Sequence, residues 1–319
     1  MNIVFMGTPD FAVPSLQAIL AEGYRVSAVV TQPDRPKGRK RELTPPPVKA
    51  EAEKHGIPVL QPEKLRRSEA VDEIRRLSPD LIVTAAYGQI LPRSVLDIPR
   101  LGCINVHASL LPKYRGGAPI HYAVMNGDPV TGVTIMYMAE GLDTGDMISR
   151  VEVPISDEDT TGTMYVKLSE AGAGLLRETL PRLIRGEILP EPQLHDHASY
   201  AANITRDDER IDWSRPAMAL FNLVRGLNPF PGAFTTWNGE VFKVWACAKP
   251  AAGMQNAEGA RMAAPGTVIA VSAEGIDVAT GQGILRLTEI QPSGKKAMPV
   301  EQFVRGTVMT VGTVLGANT

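Results

Sequence analysis

Two polar side chains interrupt an otherwise apolar run, Cys103-Ile104-Asn105-Val106-His107. On a strand, side chains alternate between faces, so Asn105 and His107 leave the same one. A carboxamide donates hydrogen bonds, and an imidazole donates or shuttles protons near neutral pH. Two carboxylates, Asp143 and Asp146, stand further on in the glycine-bracketed stretch Gly141-Leu142-Asp143-Thr144-Gly145-Asp146. Such groups together suit transfer of an acyl-level carbon, with donors for a developing oxyanion and a base for the attacking nucleophile. Two choices stay open at this point. An ordinary half-buried strand also carries an Asn and a His that bond to backbone. Between the carboxylates, the glycine bracket favours Asp143 slightly, whereas Asp146 is also suited to binding turn amides. No covalent nucleophile stands out: Ser109 lacks a G-x-S-x-G setting and Cys103 sits in an apolar strand. Direct attack by the acceptor is the expected route.

Those residues need a sheet to hold them. Residues 2–6 read as a strand, Gly7-Thr8-Pro9 as a turn, and Phe11, Val13, Leu16, Ile19 and Leu20 as one helical face. With a second strand at 25–30 this is a β-α-β unit, which predicts a doubly wound α/β domain. Gly7 stands alone, so the dinucleotide fingerprint is missing and no nicotinamide cofactor is expected. Further strands are predicted at 80–85, 102–107, 132–138 and 147–153, and a long helix at 161–185. The stretch Tyr87-Gly88-Gln89-Ile90-Leu91 follows the carboxyl end of a strand, where ligand crevices of open α/β sheets lie.

Residues 31–49 break the pattern. Arg35, Lys37, Arg39, Lys40, Arg41 and Lys49 stand there against Asp34 and Glu42, among five prolines and one glycine. The prolines argue against regular structure over most of the stretch, and basic groups on a stiffened loop suit phosphates. Lys295 and Lys296, next to Gly294, form a second basic pair. Residues 190–208 have no amphipathic period and read as a linker, with His195 and His197 at the surface. Beyond them, short apolar runs at 232–236, 241–246, 266–271, 275–279 and 283–287 predict a small β-barrel or sandwich. The expected division is a catalytic domain at 1–189, a linker at 190–208 and a C-terminal barrel at 209–319.

The formal net charge is -2, so any nucleic-acid contact has to be local. Cys103 and Cys247 are the two cysteines, too few for a disulfide framework and without metal-ligand spacing. The N-terminus has no targeting pattern and no run approaches a membrane span, so a cytoplasmic protein is expected, by default a monomer.

Asn105-Val106-His107 with Ser109-Leu110-Leu111-Pro112, followed by Gly141-Leu142-Asp143-Thr144-Gly145-Asp146, resembles the folate-dependent formyltransferases. Phe5-Met6-Gly7-Thr8-Pro9-Asp10-Phe11, Asp34-Arg35-Pro36, Tyr114-Arg115-Gly116-Gly117-Ala118-Pro119-Ile120 and Gly132-Val133-Thr134-Ile135-Met136 extend the likeness to the branch that acts on charged initiator tRNA. Asn228-Pro229-Phe230-Pro231-Gly232-Ala233 and Gly294-Lys295-Lys296-Ala297-Met298 carry it into the second half. The resemblance implies a Rossmann-like N-terminal domain and a C-terminal barrel like an OB fold. It implies 10-formyltetrahydrofolate as formyl donor, no metal, and the α-amino group of methionine on initiator tRNA as acceptor. Asn105 and His107 would polarise the formyl carbonyl, and Asp143 would handle protons. Ser109, Leu110, Leu111 and Pro112 would line the folate site with Tyr87, Gly88, Gln89, Ile90 and Leu91. Arg35, Lys37, Arg39, Lys40, Arg41, Lys295 and Lys296 would meet tRNA. Two alternatives are a sugar-nucleotide N-formyltransferase with the same three residues, and a tRNA-binding protein with an inactive catalytic domain. The basic stretch disfavours the first, and the intact Asn, His and Asp disfavour the second.

Overall fold

The first strand, β1 (Asn2–Gly7), is buried along nearly its whole length, as a strand covered on both faces must be. The computed structural model describes residues 1–38, 41–251 and 263–317. These form two compact units, one of Met1–Pro119, Val130–Pro154 and Tyr165–Ala202, the other of Ile120–Pro129, Ile155–Met164 and Asn203–Thr319.

In the first unit β1 leads through α1 (Val13–Ala21) to β2 (Arg25–Val30). The chain continues with β3 (Arg35–Lys37), β4 (Glu42–Thr44), α2 (Pro47–Lys54), β5 (Val59–Leu60), α3 (Ser68–Arg76) and β6 (Leu81–Ala85). Then come α4 (Arg93–Leu96), β7 (Cys103–His107), α5 (Pro119–Met125), which past Pro119 belongs to the second unit, β8 (Val130–Tyr137), β9 (Met147–Pro154) and α6 (Thr161–Ile184), which belongs to the first unit from Tyr165 on. The sheet order is β5-β2-β1-β6-β7-β8-β9. Pairing is parallel from β5 through β7, and antiparallel at β7–β8 and β8–β9. The sheet grows outward from β1 in both directions, which puts a topological switch at the carboxyl ends of β1 and β6. Gly7 permits that junction: a Cβ there would lie 2.7 Å from Ala12 Cβ and 3.0 Å from Ala85 O. The α/β reading of this half holds.

Ile104 and Val106 are buried on the face of β7 opposite Asn105 and His107. Burying two such side chains contributes about 3–6 kcal/mol. An unpartnered buried polar group costs about 1–3 kcal/mol, but Asn105 and His107 both have hydrogen-bond partners, so the strand tolerates them.

Residues 31–49 are more ordered than their prolines suggest. β3 and β4 form a two-stranded hairpin in which Pro36 opposes Leu43. A two-stranded ribbon has only edges, where a missing proline N–H costs no ladder bond. The chain between them turns through Gly38 and Arg41, both at positive φ. Arg39 and Lys40 lie outside the described residues.

The stretch 190–208 is not all connector. Its first part, up to Ala202, belongs to the first unit. Met147 and Glu191 exchange two backbone hydrogen bonds of 2.8 Å each, and Gln193 and Ala201 are buried.

The second unit holds α7 (Ala217–Gly226), β10 (Ala233–Trp237), β11 (Glu240–Ala248), β12 (Val268–Ser272), β13 (Gly275–Ala279), β14 (Ile284–Pro292), β15 (Met298–Pro299) and α8 (Val300–Gly306). Its sheet order is β10-β11-β14-β13-β12, with β15 on β14, and every pairing is antiparallel. Leu220, Val224, Phe242, Val244, Leu285 and Leu287 fill its core. Helix α7 falls in a stretch expected to be β-rich. It is apolar and buried almost all round, so it lacks the one-sided stripe by which helices announce themselves. Among the described residues no helix is long and apolar enough to cross a membrane.

Candidate active site

The site is built at the end of β7, where the parallel part of the sheet meets its antiparallel edge. β6 places Thr84 beside Asn105 in register. Thr84 Oγ1 donates to Asn105 Oδ1 at 2.8 Å, which turns the amide nitrogen of Asn105, with its two hydrogens, away from Thr84. Thr84 is buried and Asn105 is half-buried. Nothing in the sequence marks Thr84, since its partner lies 21 positions on. Thr84→Val is expected to free that amide. The turnover number should fall by about tenfold and stability by about 1 kcal/mol, checked by steady-state kinetics and thermal unfolding.

His107 is 6 % exposed. Its Nε2 lies 3.1 Å from Tyr114 O, and a carbonyl only accepts, so Nε2 carries a hydrogen. Nδ1 is then the nitrogen that faces Asp143, with Oδ2 at 3.7 Å. The same carboxylate oxygen accepts from the Gly116 N–H at 2.8 Å. Asp143 sits at φ 49°, in the left-handed region that a non-glycine residue enters at a cost of about 1–2 kcal/mol. Gly116 sits at φ 120°, and a Cβ there would come 2.6 Å from Ala201 O. Glycine is required at that position, and it brings a backbone N–H onto the carboxylate. Asp146 is exposed and stands outside this cluster; its backbone carbonyl accepts from Tyr137 N–H.

Beyond β7 the chain folds back on itself through Ser109-Leu110-Leu111-Pro112. Ser109 is fully buried, and its hydroxyl donates to Lys113 O at 2.6 Å. Thr134, which opposes His107 on β8, donates to Ser109 O at 2.7 Å and accepts from Leu111 N–H at 3.1 Å. Ser109 and Leu111 therefore hold the turn, while Leu110 and Pro112 are only half-buried. In the other loop, Tyr87 and Leu91 point into the core, Gln89 bonds Leu65 N–H and Pro62 O, and Gly88 and Ile90 are exposed. Tyr87 O accepts from Thr8 Oγ1 at 2.8 Å and Gln32 Nε2 at 3.3 Å, which ties this loop across the switch point. Side chains expected to line a ligand are thus divided: Tyr87, Leu91, Ser109 and Leu111 turn inward, the Ser109 hydroxyl onto Lys113 O and the Tyr87 hydroxyl buried without a hydrogen-bond partner among the described residues.

The thiol of Cys103, at the start of β7, is pushed up to about 12 by burial and by the nearby Asp97 charge. A buried, protonated thiol is a poor nucleophile. Burial likewise raises the Tyr87 phenol to about 12.

The basic residues lie on other elements. Arg35 pairs with Glu63 at 3.3 Å, both well exposed, and Arg41 is exposed. Lys49 is turned away from solvent: its Nζ bonds both oxygens of Asp34, at 2.9 and 2.8 Å, and Gln61 Oε1 at 3.0 Å. Hydrogen bonds from Gln61 and Lys49 hold the Asp34 carboxyl below its ordinary range. Lys295 and Lys296 are exposed on the turn between β14 and β15, in the second unit.

Known proteins share this arrangement of sequence. The formyl transferase family pattern matches residues 1–180, and the pattern for the C-terminal domain of formyl transferases matches residues 203–308. The chain is 59% identical over 318 residues to a methionyl-tRNA formyltransferase of Bacillus subtilis, covering 99% of this chain and 98% of the relative. It is 57% identical over 320 residues to one of Geobacillus thermodenitrificans, with the same coverage. Among solved structures it is similar to WlaRD, a sugar 3N-formyl transferase crystallised with dTDP and 5-N-formyl-THF. The TM-score there is 0.68 at 19% identity, over 93% of this chain and 99% of that one, a likeness of fold. With both halves matched in order and near-complete coverage of its relatives, the chain belongs to the formyl transferase family.

Proposed function

We propose that this chain transfers the formyl group of 10-formyltetrahydrofolate to the free α-amino group of methionine on initiator tRNA, yielding N-formylmethionyl-tRNA for translation initiation. One observation carries the reading: identity of 57–59% to curated methionyl-tRNA formyltransferases along essentially the whole of both chains. The likeness to a sugar formyltransferase, at 19% identity, does not compete with it.

The residues at the end of β7 fit the chemistry of such a donor. A formyl carbon on nitrogen is at the acid level of oxidation, so attack by an amine places negative charge on its oxygen. Asn105, held by Thr84, offers an amide hydrogen to that oxygen. His107 acts through Nδ1, since Nε2 is spent on Tyr114 O. Asp143 Oδ2 lies 3.7 Å from His107 Nδ1. The attacking amine must be neutral and must lose a proton as the new C–N bond forms, and the folate nitrogen must gain one as the old C–N bond breaks. Asp143 is the base for that exchange, through water. Leu110, Pro112, Gly88 and Ile90 supply the surface against which a pteridine ring and its linker would lie.

The basic stretch 31–49, with Arg35, Lys37, Arg39, Lys40 and Arg41, and the Lys295–Lys296 pair supply phosphate contacts. Residues 1–189 form the catalytic domain and 209–319 the tRNA-binding domain in this reading, working as a monomer in the cytoplasm. The test is one assay. Purified protein with 10-formyltetrahydrofolate and charged initiator tRNA should yield N-formylmethionine after deacylation. Turnover of an amino-sugar nucleotide, with no product on tRNA, would replace this reading by the sugar-nucleotide one.

A further inference from the structure

The stretch 191–201 packs beside the site without contributing a group to its chemistry, and one side chain in it uses every hydrogen-bonding position it has. Gln193 is 5% exposed. Its Nε2 donates one hydrogen to Asp143 O at 2.8 Å and the other to Gly145 O at 2.7 Å. Its Oε1 accepts from Arg115 Nε at 3.1 Å and Nη2 at 2.7 Å. Arg115 is itself only 2% exposed, and its Nη2 also donates to His195 Nδ1 at 3.2 Å. The guanidinium can only donate, so it fixes which end of the Gln193 amide is oxygen and which is nitrogen.

The same stretch holds the rest of the site through Ser199 and Ala201. Ser199 Oγ accepts from Tyr114 N–H at 2.9 Å, and Tyr114 O is the acceptor for His107. Arg115 N–H donates to Ser199 O and Ala201 N–H to Arg115 O, both at 2.8 Å. These bonds set the height of the next amide, Gly116, which donates to the Asp143 carboxylate. Asp143 needs such support, because its left-handed backbone is not the conformation an aspartate adopts unaided.

We propose that Gln193 is a positioning residue for formyl transfer: backed by Arg115, it clamps the 143–145 backbone so that the Asp143 carboxylate faces His107 Nδ1. The inference rests on the proposed role of Asp143. It assigns to Gln193 an effect on the chemical step, beyond the mere housing of a buried arginine.

Gln193→Glu separates the two roles. A carboxylate keeps an acceptor for Arg115, and in fact pairs with it. It has no hydrogens for the Asp143 and Gly145 carbonyls, and it repels them. The expected result is a fall in turnover number of about 10–100-fold. KM for both substrates should stay within about threefold of the parent, and the folded signature in near-ultraviolet circular dichroism should be retained. Placed on Asp143→Asn, the same change should cost little more, because the group it positions is already gone. A folded Gln193→Glu protein with turnover within about twofold of the parent would overturn the proposal, as would losses that multiply in the double variant. Should the charged variant not fold, Gln193→Asn carries the same expectation, since the shorter amide cannot span from Arg115 to both carbonyls. Undiminished turnover in Asp143→Asn alone would instead remove the underlying role of Asp143. Dependence on Asp143 with indifference at 193 would remove only the inference drawn here.

Discussion

Asp143→Asn is expected to lower the turnover number by about a thousandfold while folate and tRNA still bind. The carboxylate lies 3.7 Å from His107 Nδ1, and an amide there cannot take the proton that the attacking amine must lose. Loss of a positioned acid–base group costs about 10²–10⁴-fold in rate. The substitution is mild for the fold. The new carboxamide keeps an oxygen for the Gly116 N–H, and the backbone bond from Asp143 to Gln193 does not involve the side chain at 143. Asparagine also tolerates the left-handed backbone at least as well as aspartate. Single-turnover formylation beside equilibrium folate binding separates chemistry from affinity. Asp146→Asn, outside the cluster, is the control and should behave as the parent. Equal loss in both variants, or none at 143, would refute the assignment.

Asn105→Ala is the second large effect, expected at about 10²–10³-fold in turnover. It removes a neutral donor aimed at the developing oxyanion. The loss should stay confined to the rate, because the partner left behind has an alternative. Thr84 Oγ1 lies 3.0 Å from Ile104 O as well as 2.8 Å from Asn105 Oδ1. With the carboxamide gone its hydrogen goes to the strand carbonyl, and no buried hydroxyl is orphaned. Thermal unfolding should therefore move little. A variant that loses stability and keeps its turnover would mean that Asn105 serves the strand rather than the reaction. That is the bland reading its sequence pattern also permits.

How much of this can be read in advance depends on the range of the interactions. The strands of the first unit are legible, because a sheet strand buried on both faces writes itself as a continuous apolar run. β1 and β6 are buried at nearly every position. Asn105 and His107 draw attention because they violate such a run. The supports do not. Thr84, Thr134 and Gln193 are ordinary polar residues in sequence, and their meaning comes from partners 21, 25 and as many as 78 positions away. The proline-rich stretch 31–49 looks irregular because local rules count prolines, while the hairpin depends on which edge each proline faces. Lys49 looks like a member of the basic patch and proves to be the anchor of Asp34.

What the sequence by itself determined, then, was the α/β and antiparallel make-up of the two halves, the family, and the set of side chains with chemistry in them. Each of these follows from local pattern: apolar period, motif residues at close spacing, the absence of a glycine fingerprint. Tertiary structure decided the placement. It set Asp143, the carboxylate the resemblance implies, opposite His107 and left Asp146 outside the cluster. It turned Ser109, Leu111, Tyr87 and Leu91 inward. It folded the unpatterned stretch 191–201 onto the back of the site. In each case the deciding force was a hydrogen bond or a close backbone approach between segments remote in the chain. Such contacts exist only once the apolar core has brought those segments together.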